Sequence, residues 1–393
     1  MKWQLNDFSI DSDWDGSVNK SVLHICSGYA QQRLYPQLFA AIHDVGIPQS
    51  VYVPVRNLSE LKVPGPPRAE INYNVRHILR PFHRLLFRTK VHRVKHDLLK
   101  IENPKDFKLT HAHFLYSDGA VALRLFEQSG TPFIAAVRNT DLNVFMRLRP
   151  DLKWLMHRIV RSARALVFLS PAYRDQFLDR LPPLLASSIS ARCVVIPNGL
   201  DSEWFNPLIP RSDSPGNTCI RVLYAGDFSR NKNVLRLIEA IDGLQKIQPF
   251  SLTLVGGGGE GSAVVDAVYN SGQFPWLTVL DRINNPLRLR NIYREHDVFA
   301  MPSFHETFGL VYIEALSQGL PVVYSKGQGI DGYFPSGTIV EAIDPSSADS
   351  IACGILAAAY RIDTKREACI SAAQGFSWPK VAVKYRELYE SVY

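Results

Sequence analysis

Two patterns of apolar and polar positions alternate along the chain. Runs of five to eight mostly apolar residues recur as SVLHICS (21–27), QSVYVPV (49–55), KLTHAHFL (108–115), PFIAAVRN (132–139), ALVFLS (165–170) and CVVIPN (193–198). They resume as IRVLYAG (220–226), FSLTLVG (250–256), WLTVL (276–280), DVFAMPS (297–303) and PVVYS (321–325). Stretches with apolar residues at helical spacing, such as 31–44 and 152–165, separate most of them. Near-continuous apolar strands alternating with helices predict parallel sheets covered on both faces. The fold class is therefore α/β, with two facing doubly wound domains. NPLIPRSDSPGNT (206–218), with three prolines and no periodic pattern, reads as the linker. The expected domains are 1–205 and 206–376. The last stretch, 377–393, carries Val381, Tyr385, Leu388 and Val392 on one helical face and is expected to cross back to the first domain.

Composition narrows the class. In 393 residues, 46% are hydrophobic and 21% charged, which suits a globular chain with a sizeable core. No run of about 20 apolar residues predicts a spanning helix, and MKWQLNDFSIDSDWDGS does not have the order of a signal peptide. The five cysteines form no CxxC and read as free thiols of a reducing compartment. The expected location is cytoplasmic. The net charge of +7 favours anionic partners. Part of the excess is local: residues 76–100 hold eight Lys or Arg against the single acid Asp97. On a helix, Arg76, Arg80, Arg84 and Arg88 would make one basic stripe beside apolar Ile78, Leu79, Phe82, Leu85 and Leu86. Such a stripe either docks on an anionic membrane surface, on the inner face of the cell membrane, or is a solvated helix face. No stacking platform or motif supports nucleic acid as a partner.

Ligands of doubly wound sheets bind beyond the carboxyl ends of the strands, so chemistry is sought there. After DVFAMPS comes HETFGLVYIE (305–314). Thr307 reads as an N-cap, Gly309 as a first-turn residue that admits a ligand to bare amides, and Gly319 as the C-cap. A helix start suits a phosphate. Glu306 then lies at the sugar end of a bound nucleotide, and Glu314, two turns on, can accept from ribose hydroxyls. Arg230 and Lys232 follow IRVLYAG and supply cations for a phosphate. VGGGGEG (255–261) lacks the ending of a nucleotide-binding P-loop and reads as a flexible turn. DSDWD (11–15) contains a DxD but precedes the first strand and reads as a solvated loop. No His/Cys spacing suits zinc. His111 and His113 are read as alternating across a strand, one toward the cleft and the other packed.

VIPNGLDSEWF (195–205), the strand–G–x–K loop (226–232) and ETFGLxxxE followed by AxxxGxPVV resemble glycosyltransferase family 4. HAHFLYSDGAVALRLFEQSGTPFIAAV (111–137) and the closing FSW helix carry the resemblance over nearly the whole chain. It implies the GT-B fold, a nucleotide-sugar donor that is UDP- or GDP-linked, retention of anomeric configuration, and no metal or other cofactor. Lys232 would contact the diphosphate, Glu306 the transferred sugar and Glu314 the ribose. Phe308, Gly309 and Leu310 would lend amides. Gly28, in SGYAQQ (27–32), is the candidate for a loop near the donor, or a plain turn. The acceptor, a glycan or a lipid-linked one, would enter near His113, Arg138 and Asp141, and surface polysaccharide would be the product. Two positions depart from the family pattern: Asp227 where an arginine is frequent, and Arg138 where a histidine is frequent. Arg138 cannot act as a base. It would stabilise the leaving diphosphate or an acidic acceptor, or else form a structural ion pair with Asp141. The alternative functions are an epimerase or phosphorylase on the same fold, or a non-catalytic binding partner.

Overall fold

The computed structural model describes residues 20–32, 34–61, 70–206, 219–360 and 362–393. DSDWD and all but the first residue of the expected linker lie outside them. Among the described residues, seven parallel strands form the first sheet: β1 (Lys20–Ile25), β2 (Gln49–Val55), β3 (Asn72–His77), β4 (Phe107–Ala112), β5 (Phe133–Ala136), β6 (Ala165–Phe168) and β7 (Cys193–Val195). Their order is β3-β2-β1-β4-β5-β6-β7. Six more form the second: β8 (Ile220–Gly226), β9 (Phe250–Gly256), β10 (Leu277–Leu280), β11 (Val298–Met301), β12 (Val322–Ser325) and β13 (Val340–Ile343), in the order β10-β9-β8-β11-β12-β13. The strand order reverses between β1 and β4 in one sheet and between β8 and β11 in the other. A crevice opens outside the carboxyl ends at each reversal.

The central strands are buried on both faces, as their apolar runs require; β2, β4, β5 and β6 leave almost nothing exposed. The edge strands β3 and β13 are not among the strands expected from the sequence. NYNVRH of β3 has one strongly apolar residue and lies half-exposed on the sheet edge. Pairing to β2 and hydrogen bonds from Asn72 and Asn74 to Glu102 hold it there.

This strand corrects the expected basic helix. Arg76 lies in β3 and is paired with Asp97 at 3.1 Å. Arg80 is extended, Arg84 ends the 3₁₀ turn Pro81–Arg84, and only Arg88 lies in the helix Phe87–Leu98. Pro81 removes an amide donor and disfavours helix at the residue before it, so one continuous helix could not form.

The C-terminal helix Trp378–Val392 does cross back. Val381, Tyr385, Leu388 and Tyr389 join Val22, Leu38 and Phe39 of the first sheet's half in one apolar cluster. The crossing is fixed by Trp378, whose indole donates to Asp201 (3.1 Å) and packs on bare Gly199, where a Cβ would overlap the ring. The two sheet mouths also touch. Ser170, after β6, donates to the Thr307 carbonyl at 3.0 Å, and Tyr333 donates to the Leu169 carbonyl at 2.7 Å. All five cysteines are free thiols.

Candidate functional site

β8 and β11 are neighbours at the reversal of the second sheet, so the loops that leave them lie side by side. Lys232 and Glu306 meet there, Nζ to Oε2 at 2.6 Å, with both side chains 17% exposed. Asn231 ties the two loops together: its side chain donates to the His305 carbonyl (2.9 Å) and accepts from the His305 amide (3.0 Å). The loop after β12 holds the Glu306 backbone from the other side. Gln328 accepts from its amide (3.1 Å), and Gly329 donates to its carbonyl (2.7 Å). Glu306 is thus fixed by three loops, and its carboxylate stands at the mouth.

The helix that follows begins later than expected. It spans Leu310–Ser317, and its N-cap is Gly309, at φ +75°, rather than Thr307. A side chain at position 309 would run into the Tyr312 ring, and a left-handed φ favours glycine. The amides of Leu310 and Val311 therefore open this helix without an acceptor inside it. Phe308 is buried in the core, so only its backbone is offered to the mouth. The C-cap is Gln318, and Gly319, expected there, follows it at φ +82° and ends the helix. Glu314 is half-buried and accepts from the Tyr293 hydroxyl at 3.0 Å; desolvation pushes its carboxyl up to about 7.

Arg230 is exposed, and its backbone amide donates to Glu260 at 3.0 Å. Asp227 turns its carboxylate to the Ser229 amide (2.9 Å), capping the turn. The glycine run does more than turn the chain. Gly256, Gly257, Gly258 and Gly259 all have positive φ, and the Gly258 carbonyl accepts from the Phe228 amide at 3.0 Å. It therefore braces the loop that carries Arg230 and Lys232.

The first sheet offers a different mouth. Arg138, after β5, is 8% exposed and lines a cavity of about 260 Å³ with Gln32, Tyr35, Asn139, Thr140 and Thr307. Its Nε donates to the His113 carbonyl at 3.4 Å, and Tyr385 also bonds the guanidinium. Asp141 does not pair with that guanidinium. Its carboxylate accepts from the amides of Leu115, Tyr116 and Arg138 at 3.1, 3.1 and 2.8 Å and is fully buried, so it shapes the loop rather than facing an acceptor. Burial pushes it up to about 6. Gly28 is packed against Phe114, which a Cβ would meet at 2.6 Å; the near approach there is to a side chain of this chain.

His111 and His113 share a face, contrary to expectation, because residues two apart on a strand point the same way. Their rings stack at 4.1 Å. His24 of β1 joins them, its Nδ1 3.0 Å from Nε2 of His113, and Tyr389 meets His111 Nδ1 at 2.8 Å. One nitrogen from each of the three histidines lies within 4.8 Å of the others, a set that could hold a metal ion. Burial pulls His24 down to about 3 and the other two well below the usual imidazole range, so all three are neutral. Sequence spacing misses this set because His24 and His111 become neighbours only through strand pairing. His113 faces this cluster and is fully buried, so its carbonyl, not its ring, meets Arg138 of the cavity.

Comparison with known proteins places this geometry. The model for Glycosyltransferase Family 4 matches residues 18–204, and that for Glycosyl transferases group 1 matches 210–376. The chain belongs to the GT-B glycosyltransferases. It is 29% identical over 301 residues to the D-inositol 3-phosphate glycosyltransferase of Paenarthrobacter aurescens, covering 71% of each chain. Sucrose-phosphate synthase of Thermosynechococcus elongatus shares the fold at a TM-score of 0.69 and 20% identity, over 95% of this chain and 99% of that one. Anabaena HepE, solved in complex with UDP-glucose, shares it at 0.64 and 16% identity, over 94% and 99%. In this glycosyltransferase, Asn231, Tyr293 and Gln328 support the site yet escaped the sequence reading. Asn231 stands between Arg230 and Lys232 and could have been suspected; Tyr293 and Gln328 carry no local signal.

Proposed function

We propose that this glycosyltransferase moves a sugar from a UDP- or GDP-linked donor to a glycan or lipid-linked acceptor, with retention and without a metal, in building a surface polysaccharide. The observation that carries the reading is the Lys232–Glu306 pair at the switch point of the second sheet, beside an open helix start and facing the Arg138 cavity. Lys232 and Arg230 hold the diphosphate, joined by the amides of the Gly309–Leu310 helix start. These are fixed donors aimed at charge that grows as the sugar leaves. Glu306 orients the transferred sugar, and Glu314 accepts from the ribose. The sugar–phosphate bond breaks, the acceptor oxygen forms its bond on the same face, and the leaving phosphate takes the acceptor's proton. UDP-glucose, the ligand of HepE, is the first donor to try.

We extend the proposal to an anionic bilayer. Phe82 (52% exposed), Leu85 (82%) and Leu86 (53%) lie between Arg80, Arg84 and Arg88. This segment follows the carboxyl end of β3, at the same end of the sheet as Arg138, so apolar and basic groups would meet the membrane beside the acceptor's entrance. Among the described residues, no helix is long and apolar enough to cross a membrane.

The test is a thermal-shift screen against UDP, GDP, ADP and their common sugar conjugates, followed by donor hydrolysis and the anomeric configuration of the product by NMR. A ligand that binds the folded state raises Tm. One base should raise it, and its sugar conjugate should be consumed with retention. No shift and no hydrolysis with any donor would end the reading, and an inverted product would end its stereochemical part.

A further inference from the structure

Among the described residues, buried Arg138 has no counter-ion. Guanidinium stays charged at every accessible pH, and an isolated buried charge is costly unless paired. Asp141 on its own loop and Asp118 in the helix Ser117–Ser129 are engaged elsewhere. Asp141 accepts from three amides, one of them Arg138's own, and Asp118 accepts from the Ser27 hydroxyl and amide at 2.6 and 3.1 Å. Among the described residues, no carboxylate bonds the Arg138 side chain. Its partners are the His113 carbonyl and the Tyr385 hydroxyl, and its Nη1 has none. The histidines behind it are neutral. Arg138 is only 8% exposed, yet it lines the cavity between the sheets.

We propose that Arg138 holds an oxyanion of the acceptor, a phosphate or carboxylate carried on a polyhydroxylated body. The guanidinium fork matches such a group with two parallel hydrogen bonds. Gln32, Asn139, Thr140 and Asn198 line the same cavity and supply neutral donors and acceptors for hydroxyl groups. The donor's diphosphate has its own cations, Lys232 and Arg230, on the other sheet. Thr307 is the contribution of the second sheet's loops to this cavity, and it follows Glu306 directly, so an acceptor seated on Arg138 lies next to the transferring sugar. The inference rests on the reading of this cavity as the acceptor's side.

The test is the Tm of the full chain titrated with inorganic phosphate against chloride of equal ionic strength, for the native protein, Arg138→Met, Arg138→Lys and Lys232→Met. The native protein and Lys232→Met should show a saturable, phosphate-specific rise. Arg138→Met should lose it while keeping the nucleotide-induced rise, and without phosphate it should melt no lower than the native protein. Arg138→Lys, which keeps the charge but not the fork, should show a weakened rise, and it decides the matter if Arg138→Met does not fold. Three outcomes overturn the proposal: no phosphate-specific rise in the native protein, a rise that survives Arg138→Met and vanishes in Lys232→Met, or loss of the nucleotide rise in Arg138→Met. The last would assign the guanidinium to the donor. If no nucleotide shifts Tm but phosphate behaves as expected, the donor reading fails and the anion site stands.

Discussion

The two mouths handle charge in opposite ways. At the second sheet, Lys232 is neutralised by Glu306 before any ligand arrives, and three loops hold the pair in place. At the first sheet, Arg138 is enclosed among neutral histidines and tyrosines, and among the described residues no acid bonds its guanidinium. A pre-paired site has its geometry fixed in advance and can serve a ligand that always presents the same diphosphate. An unpaired buried cation is stabilised mainly by what it binds, so it makes binding selective for charge. One mouth has its charges paired in advance, and the other leaves its guanidinium without an acid among the described residues.

The largest effect should come from the paired mouth. Lys232→Met should lower kcat/KM for the donor by about 10²–10³-fold, the usual consequence of losing one fixed electrostatic group. Steady-state donor consumption measures it, and a loss under about tenfold would show that the diphosphate is held elsewhere. Next comes the brace of that mouth. Gly256 has φ +148°, and a Cβ there would overlap the Gly226 carbonyl oxygen. Gly256→Ala should cost about 2–4 kcal/mol in urea unfolding through backbone strain and overpacking. An unchanged midpoint would mean that the loop is not the fixed brace described.

A pH series sharpens the contrast further. The Glu314 carboxyl sits at about 7 in the fold against an ordinary 4.5. Because the fold raises this value, the folded state binds more protons than the unfolded chain between about pH 4.5 and 7. Stability therefore falls as pH rises through that window. Glu314→Gln should remove this loss and unfold on the order of 1–3 kcal/mol less easily at pH 8, while weakening nucleotide binding. If the carboxylate accepts from ribose, as proposed, native binding should strengthen as pH rises past 7. Identical stability profiles for the two proteins would remove the buried-acid account. The smallest effect should be at the rim: Arg84→Gln should weaken sedimentation with phosphatidylserine vesicles by about fivefold, roughly 1 kcal/mol per cation near the surface. No difference would leave this arginine as an ordinary solvated charge.

The central strands were legible because burial on both faces demands continuous apolar residues. QSVYVPV and IRVLYAG match β2 and β8 residue for residue. The edge strands β3 and β13 were not, since an edge half in water accepts polar residues. The error over Arg76, Arg80, Arg84 and Arg88 has the same origin: a four-residue spacing suggests a helix, but pairing with β2 and the break at Pro81 decide the backbone. The elements of the second sheet's mouth could be read because strand, loop cation, acid and helix start are each local.

The sequence alone therefore determined the α/β class, the two sheets, the crossing helix face and the placing of Lys232, Glu306 and Gly309 at the second sheet's mouth, because each depends on neighbours a few positions away. Only the tertiary structure decided that Glu306 is paired to Lys232 rather than standing free, that Asp141 serves backbone amides, that His24 joins His111 and His113, and that Arg138 has no counter-ion among the described residues. Those outcomes depend on which strands lie side by side and on what burial leaves unpaired. Electrostatic compensation is a property of distance in space, and the order of residues along the chain does not contain it.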